Sequence, residues 1–166
     1  DSKSHKLGMA WPETLNSAER GTALHLALTT CLLRPDLVHK LPQATGLTTT
    51  DIDLVTERAD ALRQWLAEQG YTDLRCEVPV EGQTSEGAEI SGTIDLLAFS
   101  SDDCIIVDHK SGGTGAGVGN YWGQLSTYAK LVGSHFPDHR LRAVAVHWMD
   151  HGNLEVVVTL KETVKA

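Results

Sequence analysis

Apolar residues recur at helical spacing early in the chain, at Leu24, Leu28, Cys31 and Leu32. Asn16 and Glu19 stand three apart before them, the spacing of a capping box with Asn in place of Ser or Thr. Together they predict a helix over about residues 17–33, ended or turned at Pro35. Val55, Ala59, Leu62, Trp65 and Leu66 form a second apolar stripe. It predicts a helix over 51–69, opened by Thr50 and Asp53 as another capping pair and stopped by Gly70. The period then shortens. Residues 74–80 alternate as a strand that ends near Pro79, and 89–100 read as a longer one. Asp102 and Asp103 make a turn, and 104–110 form a strand whose solid run Ile105-Ile106-Val107 predicts burial on both faces.

A glycine-rich stretch, residues 111–119, follows that strand. It lacks the Lys-Ser or Lys-Thr of a phosphate-cradling loop and reads as a mobile loop beside the strand end, either a gate or a plain connector. A helix from about residue 120 carries Trp122, Leu125, Tyr128, Ala129 and Val132 on one face. Two strands close the chain, 142–149 and 154–160, joined by Asp150-His151-Gly152-Asn153. The order α-α-β-β-β-α-β-β predicts an α/β fold, a central mixed sheet flanked by helices.

Composition narrows the class. With 166 residues, 41% hydrophobic and 22% charged, the chain fits one globular domain. No apolar run nears the ~20 residues that span a bilayer, so no membrane partner is expected. The net charge of −8 argues against a general nucleic-acid coat protein. It leaves room for an acidic metal-binding cluster, which a divalent cation offsets. Cys31, Cys76 and Cys104 form no CxxC pair, which argues against zinc or an iron–sulfur cluster and suits a reducing cytosol. The chain begins at Asp1 and is read as a piece of a longer polypeptide or a processed chain.

Chemistry concentrates on two consecutive strands. Asp95 lies late in one, and Asp108 and Lys110 end the next. Residues two apart on a strand share a face, so Asp108 and Lys110 project together and His109 points away. If the strands pair through the Asp102-Asp103 turn, Asp95 lies beside Asp108. Neighbouring carboxylates repel unless a cation sits between them. A lone Asp-x-Lys is also what a structural salt bridge at a strand end looks like; its surroundings decide.

Those surroundings resemble a family. Gly92-Thr93-Ile94-Asp95, followed thirteen residues on by Asp108-His109-Lys110, resembles the core of the PD-(D/E)XK nucleases. Gly21-Thr22-Ala23-Leu24-His25, Glu77 and Gln124-Leu125-Ser126-Thr127-Tyr128 resemble further motifs of its RecB-like branch. Ile94 stands where the family name has proline, and the four-cysteine iron–sulfur signature of some relatives is absent.

The resemblance implies a restriction-endonuclease-like core over residues 1–166, a single nuclease domain forming the C-terminal part of a helicase–nuclease. It implies His25, Asp95, Asp108 and the His109 backbone carbonyl as ligands of Mg2+, with Mn2+ as a substitute. Lys110 is then the catalytic lysine. Glu77 serves a second metal or orients a water, and Gln124 and Tyr128 position Lys110 or the DNA strand. The implied partners are DNA, single-stranded, and a helicase; the implied setting is the bacterial cytoplasm, in break repair or DNA degradation. A stand-alone RecB-like exonuclease of phage or mobile-element origin and a non-catalytic DNA-binding module of the same fold stand as alternatives. His5, His39, His135, His139, His147 and His151 show no ligand spacing and receive no role.

Overall fold

A computed structural model describes residues 2–13, 15, 20–113 and 115–159. Six strands form one sheet: β1 Ser2–Lys6, β2 Asp73–Gln83, β3 Glu89–Phe99, β4 Asp103–Lys110, β5 Arg140–Trp148 and β6 Asn153–Val158. The helices are α1 Gly21–Leu33, α2 Leu41–Thr45, α3 Thr49–Glu68 and α4 Trp122–His135, with a 3-10 turn at Pro35–Lys40. The strand order is β1-β6-β5-β4-β3-β2, and β4 and β5 run parallel while every other pair is antiparallel. The mixed α/β architecture expected from the sequence is therefore present. None of the described helices is long and apolar enough to cross a membrane.

Helices cover both faces of the sheet. α1 and α3 pack on one, against Leu96, Ala98, Ile105, Val107, Ala143 and Ala145. α4 crosses from β4 to β5 over the other, against Ile94, Leu97, Ile106, Val144 and Val146. Residues Cys104 to His109 of β4 are all buried, as the solid apolar run requires. β4 thus carries its polar end residues out of the middle of the core, where any misfit in their positions is resisted on both faces.

Several boundaries differ from the sequence reading. β1 was not expected; it is a short polar strand, held by pairing with β6 and not by an apolar pattern. α3 starts at Thr49, and its capping box is Thr48 with Asp51, two residues before the expected pair. β2 runs through Pro79 without ending, because β2 is an edge strand and a missing N–H there breaks no ladder bond. The strand expected over 154–160 is β6, ending at Val158. α1 begins at Gly21; the proposed cap at residues 16–19 lies outside the described residues, as does residue 160.

Candidate active site

The β2–β3 ladder carries a local reversal. Its pairing passes from Cys76↔Leu96 to Val78↔Ile94 and leaves Glu77 and Asp95 facing each other outside the paired set. On one side of this point Leu74, Cys76, Leu96 and Ala98 pack towards α1 and α3. On the other, Val78, Val80 and Ile94 pack towards α4. A regular strand would keep residues 94 and 96 on one face. The twist that separates them falls on Glu77, whose φ of 52° lies in the left-handed region and is the one positive φ of a non-glycine residue among those described. Such strain persists only where surrounding structure enforces it, and it clusters at functional sites. Here it turns Glu77 and Asp95 into an open cleft of about 540 Å³, whose other wall is the first two turns of α1, with His25.

β3 pairs with β4 from Phe99↔Cys104 to Leu96↔Val107, so the next step brings Asp95 opposite Asp108. The backbone ladder stops there. The His109 N–H donates instead to Asp95 Oδ2 at 2.8 Å. Asp108 and Lys110 share a face, as their spacing predicts: Lys110 Nζ lies 3.0 Å from Asp108 Oδ2. That approach is an ion pair outside hydrogen-bond geometry, and Asp108 Oδ2 is buried without a hydrogen bond. His25 Nδ1 lies 3.8 Å from Asp95 Oδ2. The fold thus gathers His25, Glu77, Asp95, Asp108 and Lys110 from α1, β2, β3 and β4.

The electrostatics reflect this crowding. Burial, and next the charge of Asp108, push the Asp95 carboxyl up to about 7; the His109 N–H works in the opposite direction. Burial lowers the His25 imidazole below its usual value, against the opposing pull of Asp108 and Glu77. A buried pair of carboxylates that resist joint ionisation is what a cation relieves. The donor set of two carboxylates, one imidazole and the His109 carbonyl suits a hard divalent ion, which would share Asp108 Oδ2 with the Lys110 ammonium. No group of three or more His, Cys, Asp or Glu side chains among the described residues is already arranged at ligand spacing. Binding therefore requires the donors to draw together.

Of the two placements implied for Gln124 and Tyr128, on Lys110 or on the DNA strand, the structure bears only on the first. They bond to each other, Gln124 Nε2 donating to Tyr128 Oη at 3.2 Å. Tyr128 lies across Gly92 of β3, where a Cβ would come within 2.7 Å of its ring. Among the described residues no hydrogen bond or ion pair joins either to Lys110. The aromatic beside Lys110 is Tyr121, its ring centroid 4.5 Å from Nζ. Nothing in the spacing of Tyr121 from the Asp-x-Lys motif marked it, because the contact depends on how the glycine-rich segment folds back.

That segment is anchored, in contrast to a free connector. Asp150 Oδ2 accepts from the Gly112 N–H, Asn153 Nδ2 donates to the Gly115 carbonyl, and His151 Nε2 lies 3.0 Å from the Gly113 carbonyl. The buried Glu155 carboxylate accepts from the N–H groups of Gly117 and Val118 and from Trp148 Nε1. All these anchors come from the β5–β6 hairpin. His147, given no role from sequence, stands beside His109 in the β4–β5 register, with Nδ1 atoms 3.0 Å apart. A signal existed: RLRAVAVHW places a histidine on the apolar alternation of Ala143 and Ala145.

Comparisons with known proteins bear on the family and the fold. A family model of the PD-(D/E)XK nuclease superfamily matches residues 3–163. No curated protein matches. Among solved structures, the chain is similar to one from Eubacterium rectale described as a "Putative exonuclease", with 12% identity and a TM-score of 0.55. The match covers 84% of this chain and 59% of that one, and at such identity it bears on the fold alone. With the family model spanning nearly the whole chain, and with the Asp95, Asp108 and Lys110 constellation assembled by the sheet, the chain belongs to the PD-(D/E)XK nuclease superfamily.

Proposed function

We propose that the chain is a divalent-metal-dependent deoxyribonuclease of the RecB-like kind, hydrolysing phosphodiester bonds of single-stranded DNA supplied by a helicase. The observation that carries this reading is one cleft-side cluster: Asp95 opposite Asp108, Lys110 paired with Asp108, and His25 against Asp95. Asp95, Asp108, His25 and the His109 carbonyl would hold Mg2+ or Mn2+. When bound, such an ion supplies Lewis-acid polarisation of the phosphate and a more acidic water.

The remaining work falls to the chain's own groups. Lys110, one quarter exposed and braced by Asp108 and the Tyr121 ring, presents its ammonium where charge develops on the phosphate oxygens. Glu77 lies on the cleft wall opposite α1 and is placed to orient a water or a second cation. The acidic surface, net −8, disfavours tight sequence-independent binding of duplex DNA. Delivery of the strand by a neighbouring helicase, in the bacterial cytoplasm and in repair or degradation, accords with that charge and with the RecB-like motifs.

The test is cleavage of an end-labelled single-stranded oligonucleotide with Mg2+ or Mn2+. Asp108→Ala should abolish turnover and Lys110→Ala should lower kcat by about 10²–10³-fold. Cleavage by Asp108→Ala at the wild-type rate would refute the assignment. Binding of the strand without cleavage by the intact chain would make it a non-catalytic module.

A further inference from the structure

We propose that His147 is a positioning residue for the metal-binding end of β4, acting through the ring of His109. The inference rests on the nuclease reading of the site and adds a residue that no motif contains.

His109 is the hinge of the cluster. Its N–H holds Asp95. Its two chain neighbours are Asp108 and Lys110. Its ring meets the His25 ring edge-on, with centroids 5.9 Å apart. A rotation of this residue about its backbone would therefore displace Asp108 and Lys110, release Asp95 and change the ring contact with His25. The ring itself points away from Asp108, into the apolar face built by Ile105 and Val107 of β4 and Ala143 and Ala145 of β5. The parallel register places His147 directly alongside. The two imidazoles are completely buried and joined Nδ1 to Nδ1 at 3.0 Å.

Such a bond has one proton between two nitrogens, so one ring donates and the other accepts, and each is held in a defined tautomer. Neither Nε2 has a hydrogen bond within the described residues. Two buried imidazoles with half their polar atoms unbonded stabilise the fold poorly; an apolar pair would pack on this face without desolvation. What the pair contributes is orientation, a directional bond across β4 and β5 at the point where the antiparallel ladder to β3 has already stopped. Groups that orient metal ligands typically change affinity or activity by about 10- to 100-fold when removed.

Three variants test this. His147→Leu keeps bulk and removes the bond. His147→Asn can place an amide atom near the position of Nδ1, and His147→Gln places it near Nε2. Each is measured for thermal stability without metal, for Mn2+ affinity by calorimetry, and for kcat and KM on single-stranded DNA. The expectation for His147→Leu is stability equal to or above wild type, Mn2+ affinity and kcat both lower by about 10-fold or more, and KM unchanged. His147→Asn should recover most of the loss and His147→Gln should not. Wild-type Mn2+ affinity in His147→Leu overturns the proposal. If His147→Leu does not fold, equal behaviour of the Asn and Gln variants overturns it instead. A wild-type chain that neither binds Mn2+ nor cleaves removes the nuclease reading and this proposal together, whereas a wild type that does both, beside an unaffected His147→Leu, removes this proposal alone.

Discussion

Binding of a divalent cation to this site should release a proton, and the source should be Asp95. Its carboxyl is raised from 3.8 to about 7, first by burial and then by the charge of Asp108. A shift of that size corresponds to about 4 kcal/mol favouring the neutral form. The side chain is only 16% exposed, so solvent does little to weaken this. A cation needs the carboxylate, so below pH 7 it competes with the proton. The apparent affinity should then be about twofold below its limit at pH 7 and about tenfold below at pH 6. The ion should displace about 0.9 proton at pH 6 and about 0.1 at pH 8. Calorimetric titration of Mn2+ in two buffers of different ionisation enthalpy measures both quantities. Asp95→Asn should bind more weakly and release fewer protons at pH 6. An affinity flat between pH 6 and 8, with no proton released by the wild type, would refute the raised value that burial and the Asp108 charge give Asp95.

Three further outcomes follow from the same geometry. Glu77→Gly removes a side chain from a left-handed φ of 52°, which should raise stability by about 1 kcal/mol, seen as a Tm higher by about 2–4 °C, while cleavage falls; an unchanged or lower Tm contradicts the strain. Glu155→Leu removes the buried acceptor of the Gly117 and Val118 N–H groups, with a loss of about 2 kcal/mol. Hydrogen exchange at those two amides should accelerate, and unchanged protection would show that the loop is held otherwise. Acid should destabilise the metal-free chain. Burial lowers His147 to about 3 and His109 well below 6.5, so the unfolded chain takes up their protons first. The penalty for keeping them uncharged is absent above pH 6.5 and grows as pH falls towards 3, by up to about 1.4 kcal/mol per pH unit for each. Asp95 works oppositely: its raised value stabilises the fold below pH 4, a contribution lost as pH rises through 7. Two histidines outweigh one carboxyl, so Tm should be lower at pH 5 than at pH 7; a rise would contradict the burial of the pair.

The sequence by itself determined most of the elements and the shared facing of Asp108 and Lys110. The stripe from Val55 to Leu66 could only be a core-facing helix, and the buried run of β4 could only be a central strand. The two-residue period placed Asp108 and Lys110 together before any contact was known, because side-chain direction on a strand is a local property. The short strand β1 escaped the pattern because its residues are polar and its reason to exist is a partner about 150 positions away. Pro79 misled for the same reason: only the sheet order shows that its strand is an edge.

Tertiary structure alone decided the rest. The reversal at Glu77 and Asp95 breaks the alternation that sequence reading depends on, so the cleft it opens could not be foreseen from period. The placement of Tyr121 on Lys110, the anchoring of the glycine loop by Glu155 and the pairing of His109 with His147 each join residues brought together by the parallel β4–β5 contact and its α4 crossover. Local period encodes which way a side chain points. Which side chain it meets depends on strand order, and no single segment carries that information.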